Sequence, residues 1–324
     1  MESDRSDTGQ GEGLGPVDRD REIAAAAEAL RAGQLVLMPT ETVYGLAGSA
    51  GDPMAVAAIF GAKGRPRFNP LISHVADLAA AGKIAVFSEA ARRLATAFWP
   101  GPLTLVLPSA PGSVVCDLAR AGLDTVAVRV PEHPVALALI QAFGGPVVAP
   151  SANRSGRPSP TSLGHAVEET GDKVAMALDG GPCRIGLEST VVSLLDQPRL
   201  LRPGAITRQQ IEAVIGPLAE AEADAKRSPG RMARHYAPNA PVRLEADAPR
   251  LGEAYLAFGP HPAGPAVWNL SPTGDLAEAA ANLFGFLRAA DQSAPTAIAV
   301  APIPGEGLGE AIADRLKRSA GYVG

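Results

Sequence analysis

The chain has 324 residues, a formal net charge of −5, 46% hydrophobic residues and only 4% aromatic ones. That length favours two domains, and the apolar content excludes a largely disordered chain. The slightly acidic balance argues against a protein that coats nucleic acid, although a local basic patch could still touch RNA.

In chain order, the polar stretch Met1–Pro16 has no apolar run and is predicted to be a disordered tail, neither signal peptide nor membrane anchor. A helix follows from about Asp18 to Ala32, with Gly33 as its C-terminal cap. Leu35–Met38 reads as a buried strand ended by Pro39. Pro53–Ala62 is helical in pattern, and Leu71–Val75 alternates like a strand. A helix capped by Ser88 is expected up to Trp99. Strands are then expected at Leu103–Leu107, Thr125–Val130 and Val147–Ala149, with a helix over Pro134–Phe143. Strands at Val174–Leu178, Ser189–Leu195 and Arg199–Leu201 and a helix at Arg208–Ile215 complete a first α/β domain, residues 17–215. Residues 216–241, charged and then rich in Ser, Pro and Gly, read as a linker. Residues 242–324 form a smaller unit: strands Tyr255–Phe258, Ala266–Trp268 and Thr296–Ala301, and helices Asp275–Ala289 and Gly309–Arg318. Their order resembles a small Rossmann-like, doubly wound sheet.

No stretch approaches the roughly 20 apolar residues of a membrane span. Cys116 and Cys183 fit no paired metal spacing and read as reduced cytosolic residues. The chain lacks a G-x-x-x-x-G-K-[ST] loop, an H-E-x-x-H, a C-x-x-C and a G-x-S-x-G elbow. Gly305–Gly309 enters a helix, but its third glycine falls one position early for a dinucleotide loop.

The segment Lys63-Gly64-Arg65-Pro66-Arg67-Phe68-Asn69-Pro70-Leu71 is cationic, and no Asp or Glu occurs between Asp52 and Asp77. It reads either as a loop of solvated surface charge or as a site for an external anion, for which arginine offers a planar fork and lysine a mobile point charge. Ala149–Gly156 offers small donors and acceptors after a Val-rich strand. Gly186–Val191 and Leu201–Gly204 put further polar groups at a sheet mouth. Arg129 lies inside an apolar strand and needs a partner, either a ligand carboxylate or an internal Asp or Glu.

Eight motifs recur in a characteristic order. They are P-T-E-T-V-Y-G-L from Pro39, K-G-R-P-x-x-N-P-L-x-x-H from Lys63, W-P-G-P-L-T from Trp99 and V-A-V-R-V-P from Val126, then A-P-S-A-N-x-S-G from Ala149, L-E-S-T-V-V from Leu187, L-R-P-G from Leu201 and S-P-G-x-x-x-R-H-Y-A-P from Ser228. In this order they resemble the YrdC-like threonylcarbamoyl-AMP synthases, and more closely their long form with a linker and a C-terminal domain. The resemblance implies a YrdC-like twisted mixed sheet with helices and a large concave site.

It also implies a reaction: L-threonine, bicarbonate and ATP, the last with Mg²⁺, become threonylcarbamoyl-AMP and pyrophosphate in the cytoplasm. The product would supply a downstream tRNA threonylcarbamoyl-transfer machinery, which leaves room for a weak direct contact with tRNA. By motif, Lys63 and Arg65 would hold the ATP phosphates, with Asn69 beside them. Thr125, Ser151, Asn153, Ser159, Arg202 and Tyr236 would complete the nucleotide site. Arg129 would pair with the threonine carboxylate, while Thr42, His74, the Ala149 carbonyl and Ser189 would contact the amino and hydroxyl groups of threonine. The linker around Ser228–Pro238 would fold over the site; there Arg231-Met232-Ala233 departs from the family's usual Met-Lys-Tyr. Two rival readings are a carbamoyl-transfer enzyme on the same fold and a non-enzymatic RNA-binding protein.

Overall fold

The structure is a computed structural model that describes residues 16–66, 68–219 and 235–321. The predicted tail up to residue 15, Arg67 and the linker segment 220–234 lie outside the described residues.

The first unit runs α1 (Pro16–Arg31), β1 (Val36–Met38), β2 (Gly45–Ser49), α2 (Pro53–Lys63), β3 (Ile72–His74), α3 (Leu78–Gly82), α4 (Glu89–Phe98), β4 (Leu103–Pro108), β5 (Thr125–Arg129), α5 (Pro134–Phe143), β6 (Val147–Val148), α6 (Leu163–Thr170), β7 (Met176–Ala177), β8 (Thr190–Ser193), β9 (Arg199–Arg202) and α7 (Arg208–Ile215). The helix starts follow local chemistry. Asp52 accepts from the Met54 amide at 2.8 Å with Pro53 at the first position, Ser88 accepts from Ala91, and Thr207 and Gln210 form a capping box.

One boundary matters for the site. α2 ends on Gly64 in the left-handed region (φ 60°), so Lys63 sits in the last helical turn and not in the loop that the sequence suggested. Its side chain is 3% exposed, which also removes it from the solvated-surface reading.

The nine strands form one mixed sheet in the order β7-β1-β2-β6-β3-β5-β4-β8-β9. Strand alternation decides what each face carries. Val126 and Val128 point with Leu105 and Leu107 into the main core, which α2, α3, α4 and α7 cover. Ala127 points the other way, into a small cluster with Ile72, Val106, Val191 and Leu201. Arg129 and His74 lie two residues beyond Ala127 and Ile72 and are paired in register, so both emerge on this second face. α1 and α5 cover the far end of that face, packing on Val36, Met38 and Val147. The rest of it is left for a cleft.

The C-terminal unit comprises β10 (Val242–Arg243), β11 (Ala254–Ala257), β12 (Val267–Asn269), α8 (Leu276–Gln292), β13 (Ile298–Val300) and α9 (Leu308–Ser319). Its sheet, ordered β10-β13-β11-β12, is parallel throughout. Both helices bury their apolar stripes in one cluster with Leu256, Ile298 and Val300, while Tyr255, Ala257 and Ala299 pack on Ala246 at the opposite face. The first cluster also takes in Val43 and Leu187 of the first unit and Tyr236, so residues of both units share one apolar contact. Gly186 is where they meet most closely. It adopts φ 73°, and a Cβ there would lie 2.6 Å from backbone atoms of Ala280 and Ala281 on α8.

Candidate active site

Strand ends and the loops after them converge on the open face. Of the residues that the motifs single out, Thr42, Arg65, His74, Arg129, Ala149, Ser151, Ser189, Arg202 and Tyr236 line one cleft. Lys63, Asn153 and Ser159 stand directly behind its wall. Lys63 Nζ donates to the carbonyls of Ser151 and Asn153, and the Ser159 hydroxyl donates to Glu188, itself a wall residue. Asn69 is buried beside Arg65, whose Nε lies 3.4 Å from the Asn69 carbonyl. Thr125 shares the face of Arg129 by alternation but sits at the other end of β5, roughly 13 Å away at about 3.3 Å per residue, and outside the cleft wall.

The cations differ in what neutralises them. Arg129 forms a buried ion pair with Glu41, and its Nη1 donates to Thr42 Oγ1 at 3.0 Å and its Nε to the Gly101 carbonyl at 3.1 Å. The internal carboxylate that the sequence left open is therefore Glu41, inside the P-T-E-T motif. Three of the five guanidinium donors are used, and two remain.

Lys63 and Arg202 are buried and Arg65 is half-buried, yet among the described residues none of them has a carboxylate in ion-pair range. Arg65 reaches only the carbonyls of Asn69 and Pro70, and Arg202 only the Ser189 carbonyl (3.0 Å) and hydroxyl (3.1 Å). Burial, reinforced by Arg65, holds the Lys63 ammonium well below the usual lysine range. Burial likewise brings Arg65 down to about 10, with Arg202 contributing, and lowers Arg202. His74, in hydrogen-bond range of the Ile72 carbonyl, is pushed down to about 3 by burial and by Arg129, and is neutral at any working pH.

Tyr236 closes the cleft from the linker side. It is 1% exposed, adopts φ 60°, meets the His235 ring edge-to-face with centroids 4.0 Å apart, and contacts Phe284 of α8. The backbone amide of Ala237 next to it donates to the Gly156 carbonyl at 2.7 Å, tying the linker to the A-P-S-A-N-x-S-G loop.

A family model described as telomere recombination, covering the Sua5, YciO and YrdC proteins, matches residues 28–204. A second, described as the threonylcarbamoyl-AMP synthase C-terminal domain, matches residues 206–321. The chain belongs to the YrdC-like threonylcarbamoyl-AMP synthase family. It is 42% identical to the threonylcarbamoyl-AMP synthase of Bacillus subtilis and 43% identical to that of Pyrococcus abyssi, over 93% of this chain and 94% of each relative. The crystal structure of P. abyssi Sua5 complexed with L-threonine superposes with a TM-score of 0.87 at 40% identity, covering 96% of both chains. Membership makes the chain a nucleotidyltransferase-type enzyme with the long, two-part architecture of the family.

Two carboxylates of this synthase-family site were not singled out by motif. Glu41 and Glu188 both lie inside quoted motifs, but only the fold shows that they are buried against the cleft. Arg315 was missed as well. Its signal is visible in α9, where Ala311, Ile312, Arg315, Leu316 and Ser319 share one buried face, so an arginine sits in an apolar stripe.

Proposed function

We propose that the chain condenses L-threonine, bicarbonate and ATP into L-threonylcarbamoyl-AMP with release of pyrophosphate. The observation that carries this reading is the trio Lys63, Arg65 and Arg202, cations in or directly behind the cleft wall whose hydrogen bonds go only to neutral acceptors. A triphosphate is the kind of ligand that matches such a charge deficit.

Two anionic reactants, a carbamate and a triphosphate, repel each other, and fixed cations offset that repulsion as charge moves onto the leaving pyrophosphate. Lys63 and Arg65 hold the phosphates, Arg202, Ser151, Asn153, Ser159, Asn69 and Tyr236 shape the nucleotide side, and Thr125 extends it along β5. On the other side, the two remaining donors of Arg129 take the threonine carboxylate. Thr42, neutral His74, the Ala149 carbonyl and Ser189 take its amino and hydroxyl groups. Among the described residues no group of three His, Cys, Asp or Glu side chains is placed to hold a metal ion. The Mg²⁺ of the reaction enters with the nucleotide, as part of the substrate.

The same reading places the enzyme in the cytoplasm, where its product feeds the modification of tRNA, and it leaves room for weak contact with tRNA itself. Both cysteines are free, and among the described residues no helix is long and apolar enough to cross a membrane. Pyrophosphate release should require L-threonine, bicarbonate and Mg-ATP together. Release that is indifferent to omission of threonine defeats the proposal.

A further inference from the structure

Arg315 of α9 is the largest fully buried side chain in the molecule's described part, and it belongs to the C-terminal unit. It points out of that unit toward the cleft. Its Nε donates to Glu188 Oε2 at 2.9 Å, its Nη2 reaches the Glu188 carbonyl at 3.4 Å, and its guanidinium carbon lies 5.4 Å from the centre of the Tyr236 ring. One turn further along α9, the Ser319 hydroxyl donates to the Tyr236 carbonyl at 2.9 Å. The other Glu188 oxygen accepts from Ser159.

Glu188 is the one acidic residue in the wall of the cleft, and its charge is of the wrong sign for a polyanionic ligand. Its cationic neighbours are Arg315 and Arg202. Were Arg315 absent, Arg202 would be the nearest remaining guanidinium available to it, and Arg202 would be drawn out of its contacts with Ser189.

We infer that Arg315 is a positioning residue of the C-terminal unit: it engages Glu188 so that Arg202 stays free for the nucleotide, and with Ser319 it fixes Tyr236 at the cleft. The inference rests on the functional reading above and gives the C-terminal unit a defined part in it.

The full-length chain carrying Arg315→Gln is assayed for pyrophosphate release with separate KM values for ATP and threonine, alongside thermal melting. The expected result is a rise of about tenfold or more in KM for ATP, with KM for threonine changed less than about threefold. Adding Glu188→Gln to that variant removes the competing carboxylate and should return KM for ATP to within about threefold of wild type.

If Arg315 were only a strut, melting temperature and active fraction would fall while both KM values held, and the inference is overturned. It is overturned equally if the second substitution fails to restore KM for ATP. Should Arg315→Gln not fold, Arg315→Lys decides. A single ammonium cannot span the carboxylate, the carbonyl and the ring face, so KM for ATP should still rise by about threefold or more, and an unchanged value refutes the proposal. A wild-type chain that releases no pyrophosphate defeats the functional reading and this inference together, whereas an active wild type with indifferent variants defeats the inference alone.

Discussion

Where the C-terminal unit meets the first, Glu169 on α6 has no solvent-exposed side chain and gathers Arg288 at 3.0 Å, Arg154 at 3.2 Å and Arg157 at 3.7 Å. At the cleft, buried Lys63 and Arg202 and half-buried Arg65 meet only carbonyls and a hydroxyl. The same residue types thus serve two opposite arrangements. At the interface the charges are balanced from within, and removing the carboxylate leaves Arg288 to Glu168 at 3.8 Å and Arg157 to Asp291 at 3.7 Å. In the cleft the cations have no carboxylate in ion-pair range, which costs stability in the free protein; the proposed nucleotide would relieve it.

The sharpest way to break this contrast is to remove one cation from the cleft. Lys63→Ala or Arg65→Ala should lower kcat/KM for ATP at least about 100-fold, equivalent to about 2.7 kcal/mol of transition-state stabilisation. The melting temperature should hold or rise, because an uncompensated buried charge is removed. Pyrophosphate assays and calorimetric melting on the same preparations read both effects. Wild-type activity in both variants would take the cationic trio out of the mechanism.

Glu169→Gln should do the reverse. It leaves Arg288 with only Glu168 at 3.8 Å and Arg157 with only Asp291 at 3.7 Å, for an expected loss of about 1–3 kcal/mol of unfolding free energy. KM for ATP and for threonine in the folded fraction should stay within about twofold of wild type. A Glu169→Gln protein of undiminished stability would show that the interface pairs contribute no more than surface ones.

Much of this architecture is legible in the sequence where the cause is local. The caps Asp52, Ser88 and Asp275 mark helix starts, and α5 and α7 fall on the predicted ranges because Pro134 and the Thr207–Gln210 box define them within one turn. β2 escapes notice because Gly45-Leu46-Ala47-Gly48-Ser49 has neither β-branched residues nor alternation; its strand character comes from pairing with β1 and β6. α3, α6 and the two-residue β10 are too short or too weakly periodic to stand out.

The site divides in the same way. That Lys63 and Arg65 lack a local counter-ion is readable from the spacing of acidic residues, whereas their burial is not. The partner of Arg129 lies 88 residues away at Glu41, and that of Glu188 lies 127 residues away at Arg315. No local pattern chooses such partners; the sheet order and the docking of α9 do.

A test of the cleft that alters no residue is its response to acid. His74 and His235 are both pushed down to about 3, in each case first by burial, and both face cations: Arg129 beside His74, and Arg65, Lys63 and Arg318 around His235, with Glu188 acting the other way. A histidine whose folded value lies below its unfolded value of about 6.5 takes up protons more readily in the unfolded chain. Its contribution is therefore complete above about pH 6.5 and lost as pH falls from there toward about 3. Each histidine should add a slope of roughly 1.4 kcal/mol per pH unit within that window. Glu188, depressed to about 2 despite burial because Arg315 and Arg202 favour its charged form, contributes stability above its unfolded value of 4.5 and loses it below, so the acid limb continues downward. A triphosphate in the cleft offsets the cations that oppose histidine protonation. Denaturant unfolding between pH 7 and pH 5 should consequently be steeper in the free protein than with saturating ATP. Identical slopes in the two states would mean that burial alone, and not the neighbouring cations, sets the histidine values.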